Sequence, residues 1–148
     1  MLTPTRILVP TDFSQYSGRA LGQGLDIAQQ YRAKVFLLHV IHEDIHRGNF
    51  EFTLPEELVH QIRDGAVASA RTGFQDQLNS FPQAREVEVV TDIREGVPYN
   101  EILKEEKEKE IDLVVIASLG KTGLKKYLIG SVARHVLTCS KCPVLLTQ

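Results

Sequence analysis

The order in which hydrophobic periodicity changes along this chain constrains its fold more than any other feature. Arg6-Ile7-Leu8-Val9-Pro10 is a strand-length apolar run stopped by proline, and Val35 to Ile41 is nearly continuous. Val87, Val89 and Thr91 alternate with Glu86, Glu88 and Val90, and Asp112 to Ala117 is apolar from Leu113 to Ile116. Cys142-Pro143-Val144-Leu145-Leu146 is the last run. Between the runs the spacing becomes helical. Ala20, Leu21, Gly24, Ile27, Ala28 and Tyr31 follow a candidate N-cap at Ser14 or Asp12. Leu58, Ile62, Ala66, Ala70, Phe74, Leu78 and Phe81 form a stripe that begins after Pro55-Glu56-Glu57 and ends at Pro82. Gly96-Val97-Pro98 opens a short helix through Ile102 and Leu103, and Ser131 caps a last one through Val132, Val136 and Leu137. Residues 42–54 and 118–130 read as loops. Strands alternating with helices build a parallel sheet covered on both faces, with right-handed crossovers.

Strand order follows from burial. The alternating third strand belongs at an edge, where one side meets water, whereas the first, second and fourth read as central. An open, twisted, five-stranded parallel α/β sheet of order 3-2-1-4-5 satisfies both conditions. At 148 residues the expectation is a single domain spanning 1–148.

Composition removes several function classes. Net charge is -2, from 17 basic and 19 acidic residues, so nothing asks for a nucleic acid partner. No apolar run approaches the roughly 20 residues that span a bilayer. Met1 to Arg6 carries no export signal. Two cysteines make no secreted disulfide framework. A cytoplasmic protein without a membrane partner is expected.

In open α/β sheets ligands bind at the carboxyl ends of the strands where the strand order reverses. Here the reversal lies between strands one and four, so Pro10-Thr11-Asp12 should face Ala117-Ser118-Leu119-Gly120 across a crevice. The second segment continues to Gly130-Ser131 without the spacing of a Walker P-loop. Gly22-Gln23-Gly24 lies in mid-helix and is no dinucleotide fingerprint. Gly120 and Gly130 fit an anion cradle, with Ser131 at a helix N-terminus whose free N–H groups attract phosphate. Taken alone, a Gly-Ser pair more often simply ends its elements.

At these residues the sequence resembles the universal stress protein family over nearly its whole length. The likeness rests on Arg6 to Ser14, Leu38-His39-Val40, Gly96-Val97-Pro98 with Ile102, Asp112 to Ile116, and Lys141 to Leu146. The family's ATP-binding branch carries Gly, two residues, Gly, nine residues, then Gly-Ser or Gly-Thr. Gly120, Gly130 and Ser131 match, and Ala117 stands where the first glycine belongs. The resemblance implies ATP, with Mg, as cofactor. It places Asp12 and Val40 against adenine and ribose, and Pro10, Thr11, Ala117, Gly120, Gly130, Ser131 and Val132 on the phosphate side. Ile116 and Leu119 complete that set. It also implies a homodimer through Val144-Leu145-Leu146, an apolar edge that needs a cover in any case.

Other candidates have plain readings. Cys139 and Cys142 have redox spacing but fall at a helix C-terminus, where the dipole disfavours a thiolate, so two packed thiols are expected. His39, His42 and His46 share no face that would make them metal ligands. His135 should cover the sheet or reach solvent. The charged run Lys104 to Glu110 reads as a solvated helix face. No nucleophile elbow or carboxylate pair is visible, so no catalytic residue is assigned. Three functions remain: an ATP-dependent stress-response regulator acting on a protein partner, a dimeric interaction module without nucleotide, and a slow ATP hydrolase using Asp12.

Overall fold

A computed structural model describes residues 1–42, 54–120 and 129–148. His46, which the sequence gives no reason to make a metal ligand, lies outside those residues, as do Lys121, Lys125 and Lys126, which could touch phosphates or simply solvate their loop, and the ordering of Lys121 to Tyr127 over phosphates that the ATP-binding reading entails. Five parallel strands form one sheet of order 3-2-1-4-5. They are β1 (Arg6–Pro10), β2 (Lys34–His42), β3 (Val89–Gly96), β4 (Leu113–Ala117) and β5 (Val144–Thr147).

The helices are α1 (Gln15–Tyr31), α2 (Glu56–Asn79), α3 (Pro98–Glu108) and α4 (Ser131–Cys139), with a 3-10 turn at Pro82–Glu86. Ser14 is the N-cap of α1, its side chain accepting from the Ser17 N–H. Strand period two sends Ile7, Val9, Val35, Leu37 and Val115 into one core with Leu21, Leu25, Ala28 and Phe74 of α1 and α2. Leu8, Phe36, Leu38, Val114 and Ile116 join Ile102, Ala133 and Val136 of α3 and α4 on the other face. Gly24 explains the mid-helix glycines: a Cβ there would lie 2.8 Å from Val9 Cγ2, so α1 can rest directly on β1.

Three local expectations are corrected. β3 continues through Asp92, Arg94 and Glu95 and pairs with β2 as far as His42↔Gly96. Charged residues persist in this edge strand because α3 supplies partners for Arg94. Ser131 is the first residue of α4, with Gly130 as N-cap and no side-chain cap. The run Lys104 to Glu110 is not simply a solvated face, since Glu105 and Glu106 are buried together with Glu101.

Candidate functional site

Alternation along β1 decides where the sheet opens. Thr5 and Thr11 direct backbone groups at β2, through Lys34 N–H to Thr5 C=O at 2.9 Å and Thr11 N–H to Leu38 C=O at 2.8 Å. Leu8 and Pro10 therefore face β4, and Pro10 has no N–H to give. Pairing of β1 with β4 stops at Leu8↔Val114. Beyond it the strands part around a cavity of about 370 Å³, within the range of small-molecule sites.

Pro10, Thr11, Asp12, Val40, Ile116, Ala117, Leu119, Gly120, Gly130, Ser131 and Val132 all line this cavity. The two segments expected to face each other do so closely. A Cβ on Gly120 would sit 2.7 Å from Asp12 Oδ2, so only glycine lets that carboxylate keep its place. Asp12 Oδ1 accepts from the Ser14 N–H at 3.0 Å. Gly130 donates its N–H to the Ser118 carbonyl at 2.7 Å, which ties the start of α4 to the end of β4. Its φ of -60° suits any residue, so glycine is favoured there by space alone.

Ser118, expected on the segment that faces Asp12, also lines the cavity, whereas sequence reasoning missed Ser17, Leu38, His39, Pro98, Ile102 and Ala133. Leu38 shares the face of Val40 by strand period, and Ile102 follows Pro98 by one helical turn, so both were within reach. Beneath the floor, Thr11 Oγ1 donates to Gln77 Oε1 at 2.8 Å and accepts from the Phe13 N–H at 3.0 Å. His39 Nδ1 lies 2.8 Å from the Thr11 carbonyl, and its ring is 4.4 Å from that of Phe13.

A charged cluster secures the wall formed by α3. Arg94 of β3 donates through Nε to Glu105 at 2.7 Å, through Nη1 to Glu101 at 3.2 Å, and through Nη2 to Glu108. Burial pushes the Glu105 carboxyl up; Arg94 opposes this and Asp92 adds to it. Burial would also raise Glu101, but hydrogen bonds from Lys104 and Arg94 outweigh it and hold the group below its ordinary range. Gly96, at φ 152°, carries the chain into α3, where a Cβ would lie 2.8 Å from Glu101 Oε1. The cysteines differ from the packed pair expected: Cys139 is exposed and Cys142 half-buried. Burial pushes the Cys142 thiol up. His135 is exposed and stacks on Tyr99 at 4.3 Å.

The model of the Universal stress protein family matches residues 4–148. The chain belongs to the universal stress protein family. Among its universal stress protein relatives, YxiE of Bacillus subtilis is 32% identical, the alignment covering 97% of this chain and 98% of YxiE. The solved structure of MJ0577 from Methanocaldococcus jannaschii superposes with a TM-score of 0.84 at 29% identity, covering 99% of this chain and 96% of that one. A universal stress protein from Archaeoglobus fulgidus, solved in complex with dAMP, shares the fold. Its TM-score is 0.66 at 18% identity, covering 99% of this chain and 100% of that one. Among the described residues of this universal stress protein, no helix is long and apolar enough to cross a membrane.

Proposed function

We propose that this chain binds an adenine nucleotide, ATP with Mg, in the crevice between β1 and β4 and acts as a nucleotide-dependent regulator of a protein partner. The observation that carries this reading is the pairing of two backbone surfaces in one cavity. On one wall, Leu38 is the last residue of β2 paired with β1, so Val40, two residues on, directs its N–H and C=O into the opening. A donor and an acceptor side by side match the edge of a purine. On another wall, the N-terminus of α4 at Gly130 and Ser131 offers N–H groups and a positive dipole end to a phosphate. Leu38, Ile102, Ile116 and Val132 supply apolar surface between them. Asp12, an acceptor only when ionised, suits ribose hydroxyls or a Mg-bound water. The fold is one in which a relative holds dAMP.

Ala117 does not favour the alternative of a module without nucleotide. Its methyl packs against the core cluster on the α1 face, away from the helices that carry the phosphate wall. The apolar edge strand β5 would pair with a second copy, giving the homodimer.

Calorimetric titration of Mg-ATP into nucleotide-stripped protein tests the site, with Gly130→Asp as control. The backbone angles at 130 accept aspartate, and among the described residues a Cβ there meets the Ser118 carbonyl at 3.2 Å, which a shift of a few tenths of an ångström relieves. Saturable micromolar binding that Gly130→Asp abolishes is expected. A wild type that gives no heat at millimolar ATP, or a variant that binds normally, overturns the reading.

A further inference from the structure

We propose that His39 is a positioning residue for the nucleobase: its imidazole holds the Thr11 carbonyl and so keeps the Val40 backbone edge open to the cavity. This rests on the adenine-nucleotide reading above. In a parallel ladder a residue such as Thr11 gives its N–H to one residue of the neighbouring strand and takes the N–H of the residue two further on. The first half of that rung is present, from Thr11 N–H to Leu38 C=O at 2.8 Å. The second half would run from Val40 N–H to Thr11 C=O and seal the opening. The Thr11 carbonyl meets His39 Nδ1 at 2.8 Å instead. A carbonyl only accepts, so Nδ1 carries the proton, in the neutral ring as in the charged one.

The ring is aimed by its neighbours. Phe13 lies against it, the rings tilted by 34° with centroids 4.4 Å apart, and meets Phe74 edge-on at 5.4 Å. Phe13 has φ 64°, a left-handed conformation that residues with a Cβ rarely adopt. Its N–H is tied to Thr11 Oγ1, and Gly73 leaves space for its ring, since a Cβ there would lie 2.7 Å from Phe13 Cδ1. Strain of this kind persists only where surroundings over-determine it. Here it places an aromatic face beside the imidazole that takes the rung's acceptor.

The test compares His39→Asn, whose amide nitrogen can stand where Nδ1 stands, with His39→Leu, which donates nothing. Amide exchange of Val40 is read by NMR in ligand-free protein, and binding of Mg-ATP, Mg-GTP and inorganic tripolyphosphate by calorimetry. Val40 should exchange freely in wild type and His39→Asn, and become protected at least tenfold in His39→Leu as the rung closes. The preference for ATP over GTP should fall at least tenfold in His39→Leu and stay within threefold of wild type in His39→Asn. Tripolyphosphate, which has no base, should bind all three alike. Wild type that binds ATP while His39→Leu keeps both its base preference and a fast-exchanging Val40 overturns this assignment and leaves the nucleotide reading standing. Equal losses in both variants also overturn it, because donation from Nδ1 would then not be the cause. Wild type that binds no ATP removes the parent reading and this one together.

Discussion

Replacing Arg94 by methionine isolates the least expected feature of the fold. The Glu105 side chain is fully buried, its Oε2 takes the Arg94 Nε–H at 2.7 Å, and Oε1 has no hydrogen-bond partner among the described residues. Methionine fills most of the volume of the arginine stem but leaves this carboxyl without a cation. Breaking a buried pair from one side costs about 3–5 kcal/mol, because the remaining charge stays desolvated. In a domain of this size each kcal/mol moves Tm by about 2–4 °C, so a fall on the order of 6–20 °C is expected.

The loss should depend on pH with a definite sign. In Arg94→Met the folded-state pKa of Glu105 lies further above its unfolded value, so the folded form binds more protons in the interval between them. Stability then falls as pH rises through that interval, and the defect is smaller at pH 5 than at pH 8. Arg94→Met with Glu105→Leu removes both charges and should return to within about 1.5 kcal/mol of wild type. Urea unfolding of the four proteins of the cycle at both pH values measures all of this. A single-variant loss below about 1 kcal/mol at pH 8, or a double variant no better than Arg94→Met, refutes the reasoning.

Two further substitutions act on the cavity itself. Ala117→Gly should leave ATP affinity within twofold in calorimetry and cost about 1 kcal/mol in urea unfolding, because the methyl is packed in the α1-side core. A tenfold tightening would instead place that methyl in the path of the ligand. Gly120→Ala drives a Cβ to within 2.7 Å of Asp12 Oδ2, and the flexible carboxylate must yield. Stability should change by less than about 1 kcal/mol while ATP affinity drops at least tenfold; unchanged affinity would show that Asp12 does not touch the nucleotide.

The sheet order was legible because it depends on signals each strand carries alone. Runs apolar on both faces belong in the centre, and the alternating Val87 to Thr91 belongs at an edge. The location of the crevice followed from that order, and Gly120 could be read as a point of close approach before its neighbour, Asp12, was seen. Features that failed to show were those that need two elements in register. Asp92, Arg94 and Glu95 look like loop residues until α3 is laid beside β3. Glu101, Glu105 and Glu108 fall at helical spacing on one face, which on an isolated helix is a solvated stripe. The arginine that turns this stripe inward lies seven residues before its first member, on a different element. His39 was similarly opaque: its role depends on which carbonyl the ladder leaves within its reach, and that is set by the pairing of Pro10 with Leu38.

The charged cluster and the cavity are also not separate matters. Pro98 and Ile102, which line the cavity, belong to the same helix as Glu101 and Glu105, which are held to β3 by Arg94. Ile102 is apolar and inserts into the core on its own account, but apolar packing tolerates sliding along a helix axis. Ion pairs at two successive turns, with Gly96 fixing the entry to α3, set the axial position that packing leaves loose. Reading Lys104 to Glu110 as solvent-facing therefore hid more than the two buried carboxylates of Glu105 and Glu106. It hid the means by which one wall of the cavity is held in register with the strand ends opposite. Arg94→Met should consequently weaken ATP binding even at temperatures where the protein remains folded.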